Sequence, residues 1–392
     1  MRRPQTGLAR IPLLSVGFRV FFLGAAVWAV IAMVLWLGFV VGVWSLADDY
    51  GPVAWHAHEF LIGYVSAVAA GFLLTAIPNW TGRLPVSGGP LLALFLVWVA
   101  GRIALFAVTW LGLAVAMIVD SLFLIVFALV ILREIVAGRN WRNLKTVVLV
   151  SLLAAANVAF HVEVYFAGMP DYSLRLAIAV VVGLIMLIGG RIIPSFTRNW
   201  LARRDAVRLP VPFGKFDVAS IAASGAALML WIAMPVWPLT AAALIAAGGT
   251  QLARMSRWAG LSTWREPLVL VLHGGYAFVP LGFVLVGASI LWPASIPPIA
   301  ALHAWSAGAV ALMTLAVMTR ASLGHTGHEL TANLATGVVY LAALVAVVCR
   351  LAVSLFPDLS ADLLSLAAVS WIVAFGSFVL VYGPKLARAG QQ

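Results

Sequence analysis

Trp55-His56-Ala57-His58-Glu59 opens a stretch that carries no charge from Phe60 to Ile77 and closes at Pro78-Asn79-Trp80-Thr81-Gly82-Arg83. At 1.5 Å per helical residue the uncharged part is about 27 Å long, close to the thickness of bilayer hydrocarbon. Two imidazoles and a carboxylate stand at the mouth of a segment that otherwise has the composition of a membrane span. Ionisable groups at the edge of hydrocarbon are costly, so they mark an ion, proton or metal site, or else face water at the interface.

The rest of the chain agrees with that reading. Of 392 residues, 64% are hydrophobic and 9% charged, and mean hydropathy is +1.08. This balance predicts an all-α integral membrane protein and excludes a soluble domain. Apolar runs at about 20–44, 55–78, 90–110, 111–132, 145–167, 173–194, 215–235, 237–256, 266–291, 297–319, 331–356 and 361–383 predict about twelve transmembrane helices. No linker separates a soluble domain, so 1–392 reads as a single polytopic domain, and no cleavable signal is expected after Met1-Arg2-Arg3. Cys349, the one cysteine, lies in an apolar run and forms no internal disulfide.

The net charge of +11 is topological. Arg2, Arg3, Arg10 and Arg19 precede the first span. Arg83, Arg133, Arg139, Arg142, Lys145, the 191–215 and 254–265 clusters, Arg320, Lys385 and Arg388 follow even-numbered spans. The positive-inside rule then makes both termini cytoplasmic and removes the case for nucleic acid. The ends of spans two, six and ten are related: Thr75-Ala-Ile-Pro78-Asn-Trp-Thr-Gly-Arg83, Arg191-Ile-Ile-Pro194-Ser-Phe-Thr-Arg198 and Ala316-Val-Met-Thr-Arg320. Their spacing suggests three parallel four-helix units.

With this topology His56, His58, Glu59, His161, Glu163 and His303 fall in one outer layer. His273 lies nearer the inner end of the ninth span, and His325 and His328 fall in a cytoplasmic loop. His56 and His58 point about 200° apart on a regular helix, so both cannot chelate one ion from it. Either His58 is a ligand backed by a His56–Glu59 pair, or the helix begins after His58 and the two rings converge. Glu59 or Glu163 is the candidate partner for the second nitrogen of a ligating histidine. His161, on one face with Asn157 and Tyr165, reads as a second ligand or as an interhelical hydrogen-bonded contact. His303 sits among small residues that allow a planar cofactor to approach, or bonds across helices. His273 precedes Gly274-Gly275, which leave room for a porphyrin face or for a tight helix crossing. Arg102 and Asp120 read as a buried ion pair. Arg191 and Arg198 flank Pro194, where they suit propionates or lipid headgroups. Met186, Met313 and Met318 suit cuprous ion but read as packing. No covalent haem attachment motif, phosphate loop or nucleophile elbow is present, so any haem is non-covalent.

His56-Ala-His58-Glu59, Ala70-Gly71-Phe72-Leu-Leu-Thr75-Ala-Ile-Pro78-Asn79-Trp80-Thr81-Gly82-Arg83, Gly189-Gly190-Arg191-Ile-Ile-Pro194-Ser-Phe-Thr197 and Leu315-Ala-Val-Met318-Thr319-Arg320-Ala321-Ser-Leu-Gly324-His325-Thr326-Gly327 together resemble the NnrS family. The resemblance implies a multi-pass protein of the bacterial inner membrane with haem b and copper, linked to nitric oxide stress and denitrification. Nitric oxide would be its ligand or substrate, with the electron donor unspecified and turnover and simple binding both open. A weaker likeness to the catalytic subunit of haem–copper oxidases and nitric oxide reductases implies His58 (or His56) and His303 as haem ligands, with His161 and His273 as further metal candidates. A different class, a transporter for a metal ion or small anion, would use the outer histidines as its entry site, with helices broken at Pro78, Pro194 and Pro280.

Overall fold

The computed structural model describes residues 7–204, 206 and 208–389; Arg2 and Arg3, expected on the cytoplasmic side, lie outside them. Twelve long helices fill the expected places: α1 Gly17–Val40, α2 Pro52–Thr81, α3 Gly89–Phe106, α4 Leu113–Ala137, α5 Trp141–Ala167, α6 Tyr172–Ala202, α7 Lys215–Ala233, α8 Pro238–Ser256, α9 Pro267–Leu291, α10 Pro298–Thr326, α11 Leu334–Ala352 and α12 Pro357–Ala387. All except α8 are long and apolar enough to cross a membrane, and the described residues contain no strand. The chain is thus an all-α multi-pass membrane protein. Helices suit that setting because every backbone group is satisfied within the segment. The polar residues of α8 are turned inward: Gln251 donates to Ser224 Oγ at 2.9 Å and Arg254 to Asp217 at 3.0 Å.

Glycine and proline set the ends. Gly51, Gly82, Gly112 and Gly168 take positive φ between helices. Prolines occupy the first turn of α2, α8, α9 and α10, where no intrahelical donor is lost. The breaks expected at Pro78, Pro194 and Pro280 are absent, since α2, α6 and α9 run through these prolines. The irregularities are instead π-helical turns at Glu59–Gly63 in α2, Ile185–Gly189 in α6 and Ala304–Val310 in α10. Nor is His325 in a loop, because α10 extends to Thr326 and its imidazole lies 5.4 Å from the Phe18 ring.

The chain forms two compact units. In the first, made of the described residues up to Ala177 with 321–329 and those from 378 onward, α1 packs on α2, and α4 packs on α2, α3 and α5. Close approach is bought by glycine: a Cβ on Gly71 would meet Phe22 at 2.6 Å, and one on Gly101 would meet the Asp120 backbone at 3.0 Å. Arg19 closes this unit by donating to the Leu386 and Arg388 carbonyls at 2.7 and 2.5 Å. In the second unit α8 lies between α7 and α9, and α9 packs on the π segment of α10. There a Cβ on Gly275 would meet Met313 N at 3.1 Å, whereas one on Gly274 would meet nothing within 4 Å, so of the two glycines after His273 it is Gly275 that serves a tight helix crossing.

Candidate metal centre

The first unit buries a polar cluster in hydrocarbon-lined surroundings. Its parts come from five places: Tyr50 before α2, His58 and Glu59 at the π turn of α2, Arg102 on α3, Asp120 on α4, and Asn157 and His161 on α5. All seven side chains are buried.

Asp120 is the hub. Its Oδ1 takes Arg102, and its Oδ2 accepts from Asn157 Nδ2 at 2.9 Å and lies 2.9 Å from His161 Nε2 and 3.3 Å from His58 Nε2. The far side of each ring is held in turn. His58 Nδ1 donates to Glu59 Oε1 at 2.9 Å, and His161 Nδ1 is hydrogen-bonded to the Tyr50 hydroxyl at 2.9 Å. Arg102 Nε lies 3.3 Å from Glu59 Oε2, so one guanidinium bridges both carboxylates. Asn157 Oδ1 accepts from His58 Nε2 at 2.7 Å. One ligand atom from each of His58, Asp120 and His161 falls within 4.8 Å of the other two. Two imidazoles and one carboxylate oxygen, each oriented by an outer partner, are the donor set that zinc, copper(II) or non-haem iron(II) accept.

Local sequence explains the aim of each group. Asn157 and His161 are four apart and share a face of α5. Adjacent His58 and Glu59 both serve the cluster at the point where the helix widens into its π turn, a distortion frequent at functional sites. Tyr50 is turned inward by a tight turn whose Ala47 has φ 48° and whose Gly51 has φ 84°. Its hydroxyl is pushed well above the usual tyrosine range, first by burial and then by the Asp120 and Glu59 carboxylates. Gly63 makes room for Arg102: a Cβ there would lie 1.8 Å from Nη1.

The other expected site residues lie elsewhere. His56 stacks on Trp36, centroids 4.2 Å apart, and packs on Phe60, so the two rings do not converge, and Glu59 serves His58. Glu163 accepts from the amides of Asp171, Tyr172 and Ser173 at 2.8, 3.1 and 3.0 Å, capping the start of α6. Tyr165 is exposed. In the second unit His273 Nε2 is hydrogen-bonded to Thr197 Oγ1 at 2.8 Å. Half-buried His303, the last residue before the π turn of α10, donates Nδ1–H to the Ile299 carbonyl at 2.6 Å. Arg191 lines a cavity beside Arg198. Met186, Met313 and Met318 are buried core residues.

The expected Arg102–Asp120 pair is present, but its place at the centre of the histidine cluster was not foreseen, and Tyr50 was missed altogether. A lone aspartate in mid-span was the available signal for the first. Nothing in Asp48-Asp49-Tyr50-Gly51 signalled the second.

Fold and site together define a polytopic helical membrane protein with a buried His/Asp group that could hold a metal ion. The chain belongs to the NnrS family, whose model, described as NnrS protein, matches residues 12–389. No curated protein matches it.

Proposed function

We propose that this chain is a metal-dependent membrane protein of the bacterial nitric oxide response, with a divalent ion held by His58, Asp120 and His161. The observation that carries this is the convergence of two imidazole Nε2 atoms on one carboxylate oxygen while both Nδ1 atoms are held from behind. Asn157 Oδ1, 2.7 Å from His58 Nε2, would add a fourth donor and a second oxygen. Copper(II) stands highest in affinity for such a nitrogen and oxygen set. When bound, the ion supplies an electrophilic centre able to take a small diatomic ligand.

The chain's own residues do the rest. Glu59 and Tyr50 fix ring orientation and raise ligand basicity. Arg102 holds Asp120 Oδ1 so that Oδ2 faces the histidines. Complete burial keeps bulk water from the ion. Family membership supports nitric oxide as the molecule concerned, at the inner membrane.

For haem b, His303 is the fitting ligand. Its Nδ1–H is committed to a carbonyl, which leaves Nε2 free to ligate, and Ala300, Ala301, Ala304 and Gly308 keep the surroundings small. His58 is wholly buried and already belongs to the proposed metal cluster, and His273 Nε2 is engaged with Thr197. Held by His303, a haem would supply an iron able to bind nitric oxide.

One observation favours a second reading. Both partners of His58 are acceptors, so both its nitrogens donate, and the charges of His58, Arg102, Glu59 and Asp120 then cancel without an ion. A buried ionic network that specifies packing would look the same. Metal and haem quantification on purified wild-type, H58A, H161A and H303A proteins separates the readings. Stoichiometric metal lost in H58A and H161A, with haem lost only in H303A, supports the proposal. Metal-free wild-type protein after expression with ample copper, zinc and iron refutes the metal centre, and haem retained in H303A refutes the haem assignment.

A further inference from the structure

A cavity of about 260 Å³ in the second unit is lined by Gly190, Arg191, Arg198, Phe213, Asp217 and Trp258, among others. It lies along the last turns of α6, the cytoplasmic end by the distribution of basic residues. Behind it, wholly buried Arg254 donates Nε to Asp217 Oδ1 at 3.0 Å and Nη1 to the Met186 carbonyl and the Tyr276 hydroxyl at 3.2 and 3.0 Å. Its Nη2 has no hydrogen-bond partner. A buried charged donor left unpaired is costly, and a native chain keeps one where something completes it. That guanidinium abuts the cavity wall at Gly190, where a Cβ would lie 2.0 Å from Nη2, and its carbon lies 5.3 Å from the ring of Trp258 and 5.9 Å from that of Phe213.

Asp217, the single carboxylate of the wall, is already shared between Arg254 and Arg257, the latter at 3.4 Å, and accepts the Gly214 amide at 2.9 Å. Arg191 and Arg198 add two further cations, and Arg198 keeps its place by donating to the Pro210 carbonyl at 2.9 Å. Arg191 and Arg198 of α6 thus line the cavity that Arg254 of α8 backs. Guanidinium forks match phosphate oxygens, and several converging from different elements suit a tetrahedral acceptor. The remaining wall, with Pro194, Pro212, Phe213 and Trp258, is apolar, and the volume admits a headgroup but is small for a nucleotide.

We infer that this cavity is a phosphate site, one that binds the headgroup phosphate of an anionic phospholipid from the inner leaflet or a free phosphate group. The site is distinct from the metal centre, and its occupation does not require an ion there.

The test uses the full-length protein, purified in detergent and stripped of lipid. Its melting temperature is followed with inorganic phosphate, and separately after transfer into nanodiscs of phosphatidylcholine with or without phosphatidylglycerol. Retained lipid is read by native mass spectrometry. R191Q/R198Q is the test variant, and R204Q, an exposed position on the same helix end, controls for surface charge. The double variant is expected to bind at least about tenfold more weakly, since each lost charge-assisted hydrogen bond is worth roughly tenfold or more, while R204Q matches the wild type. Protection by inorganic phosphate identifies a free phosphate group as the ligand. Protection only by phosphatidylglycerol, with one lipid retained by wild-type and not by the double variant, identifies the headgroup. Equal responses of wild-type and R191Q/R198Q to both probes, or no response by wild-type to either, overturn the inference.

Discussion

Replacing Tyr50 with phenylalanine removes one hydroxyl and leaves every proposed ligand in place. That hydroxyl is wholly buried and sits 2.9 Å from His161 Nδ1. With an ion on Nε2, Nδ1 carries the proton and the Tyr50 oxygen accepts it; in Y50F this N–H points at nothing. A buried donor left without a partner costs about 1–3 kcal/mol. Loss of a partner behind a metal-bound histidine weakens metal affinity about 10–100-fold, which is about 1.4–2.7 kcal/mol. The two routes give the same magnitude. Competition against a chelator of known affinity, in detergent, measures it directly. Metal-dependent stabilisation, which follows the logarithm of ligand concentration over Kd, should shrink by the same amount. Y165F, at an exposed position on the His161 helix, is the control. Unchanged metal affinity in a folded Y50F protein refutes the assignment of His161 as a ligand oriented by Tyr50.

Asp120→Asn removes a ligand and one of the two carboxylates that hold buried Arg102, so metal binding should be lost and stability should fall by about 3 kcal/mol; chemical denaturation with near-normal stability would contradict the hub role. Gly63→Ala deletes no functional group but sets a Cβ 1.8 Å from Arg102 Nη1, and should cost about 1–3 kcal/mol as an overpacked site does, with reduced metal content by plasma mass spectrometry. Glu163→Gln should cost about 1 kcal/mol in helix capping and leave metal content unchanged, whereas a loss of metal would tie Glu163 to the centre after all. Because the Tyr50 pKa is raised in the folded state, its contribution to stability is fully present below its ordinary value of about 10 and declines as pH rises above it. Y50F should therefore lose less stability than wild-type between about pH 10 and 11 in alkaline melts.

All twelve helices were legible because each is a run of apolar residues bounded by glycine, proline or arginine. What misled was proline. Pro78 and Pro194 lie near helix ends and Pro280 in a helix interior, yet none interrupts its helix. A π turn arises from one extra residue per turn and leaves no compositional mark, so Glu59–Gly63 could not be read beforehand. The site was half legible. His58, Glu59, Asn157 and His161 are polar groups in otherwise apolar helices, and their cost in hydrocarbon announces them. Choosing between His56 and His58 required knowing which face of α2 meets α4 and α5. Asp120 was recognised as Arg102's partner, but its second oxygen could be assigned only once α5 was in place. Tyr50 lies in a turn outside any periodic pattern, so its role depends wholly on tertiary structure.

The three π turns begin at Glu59, Ile185 and Ala304, about 120 residues apart, close to the interval of the related motifs that end α2, α6 and α10. Each interrupts the helix that carries its motif, so irregular backbone and inner-border sequence recur together. In the first and third copies the residue just before the π turn is a histidine, His58 or His303, at the end of a short segment opened by proline at its first turn. In the second copy Leu184 stands in that place. A π turn weakens the regular hydrogen-bond ladder and persists where packing or a ligand compensates. Its recurrence supports a repeated scaffold whose distorted turn presents the preceding side chain to a site. The histidines then differ by their surroundings. His58 is drawn into a carboxylate cluster suited to a small cation, while His303 is anchored only through its own helix and keeps one nitrogen open. Under the proposed function one recurring geometry would serve two different cofactors, with the apolar Leu184 in the copy that serves neither.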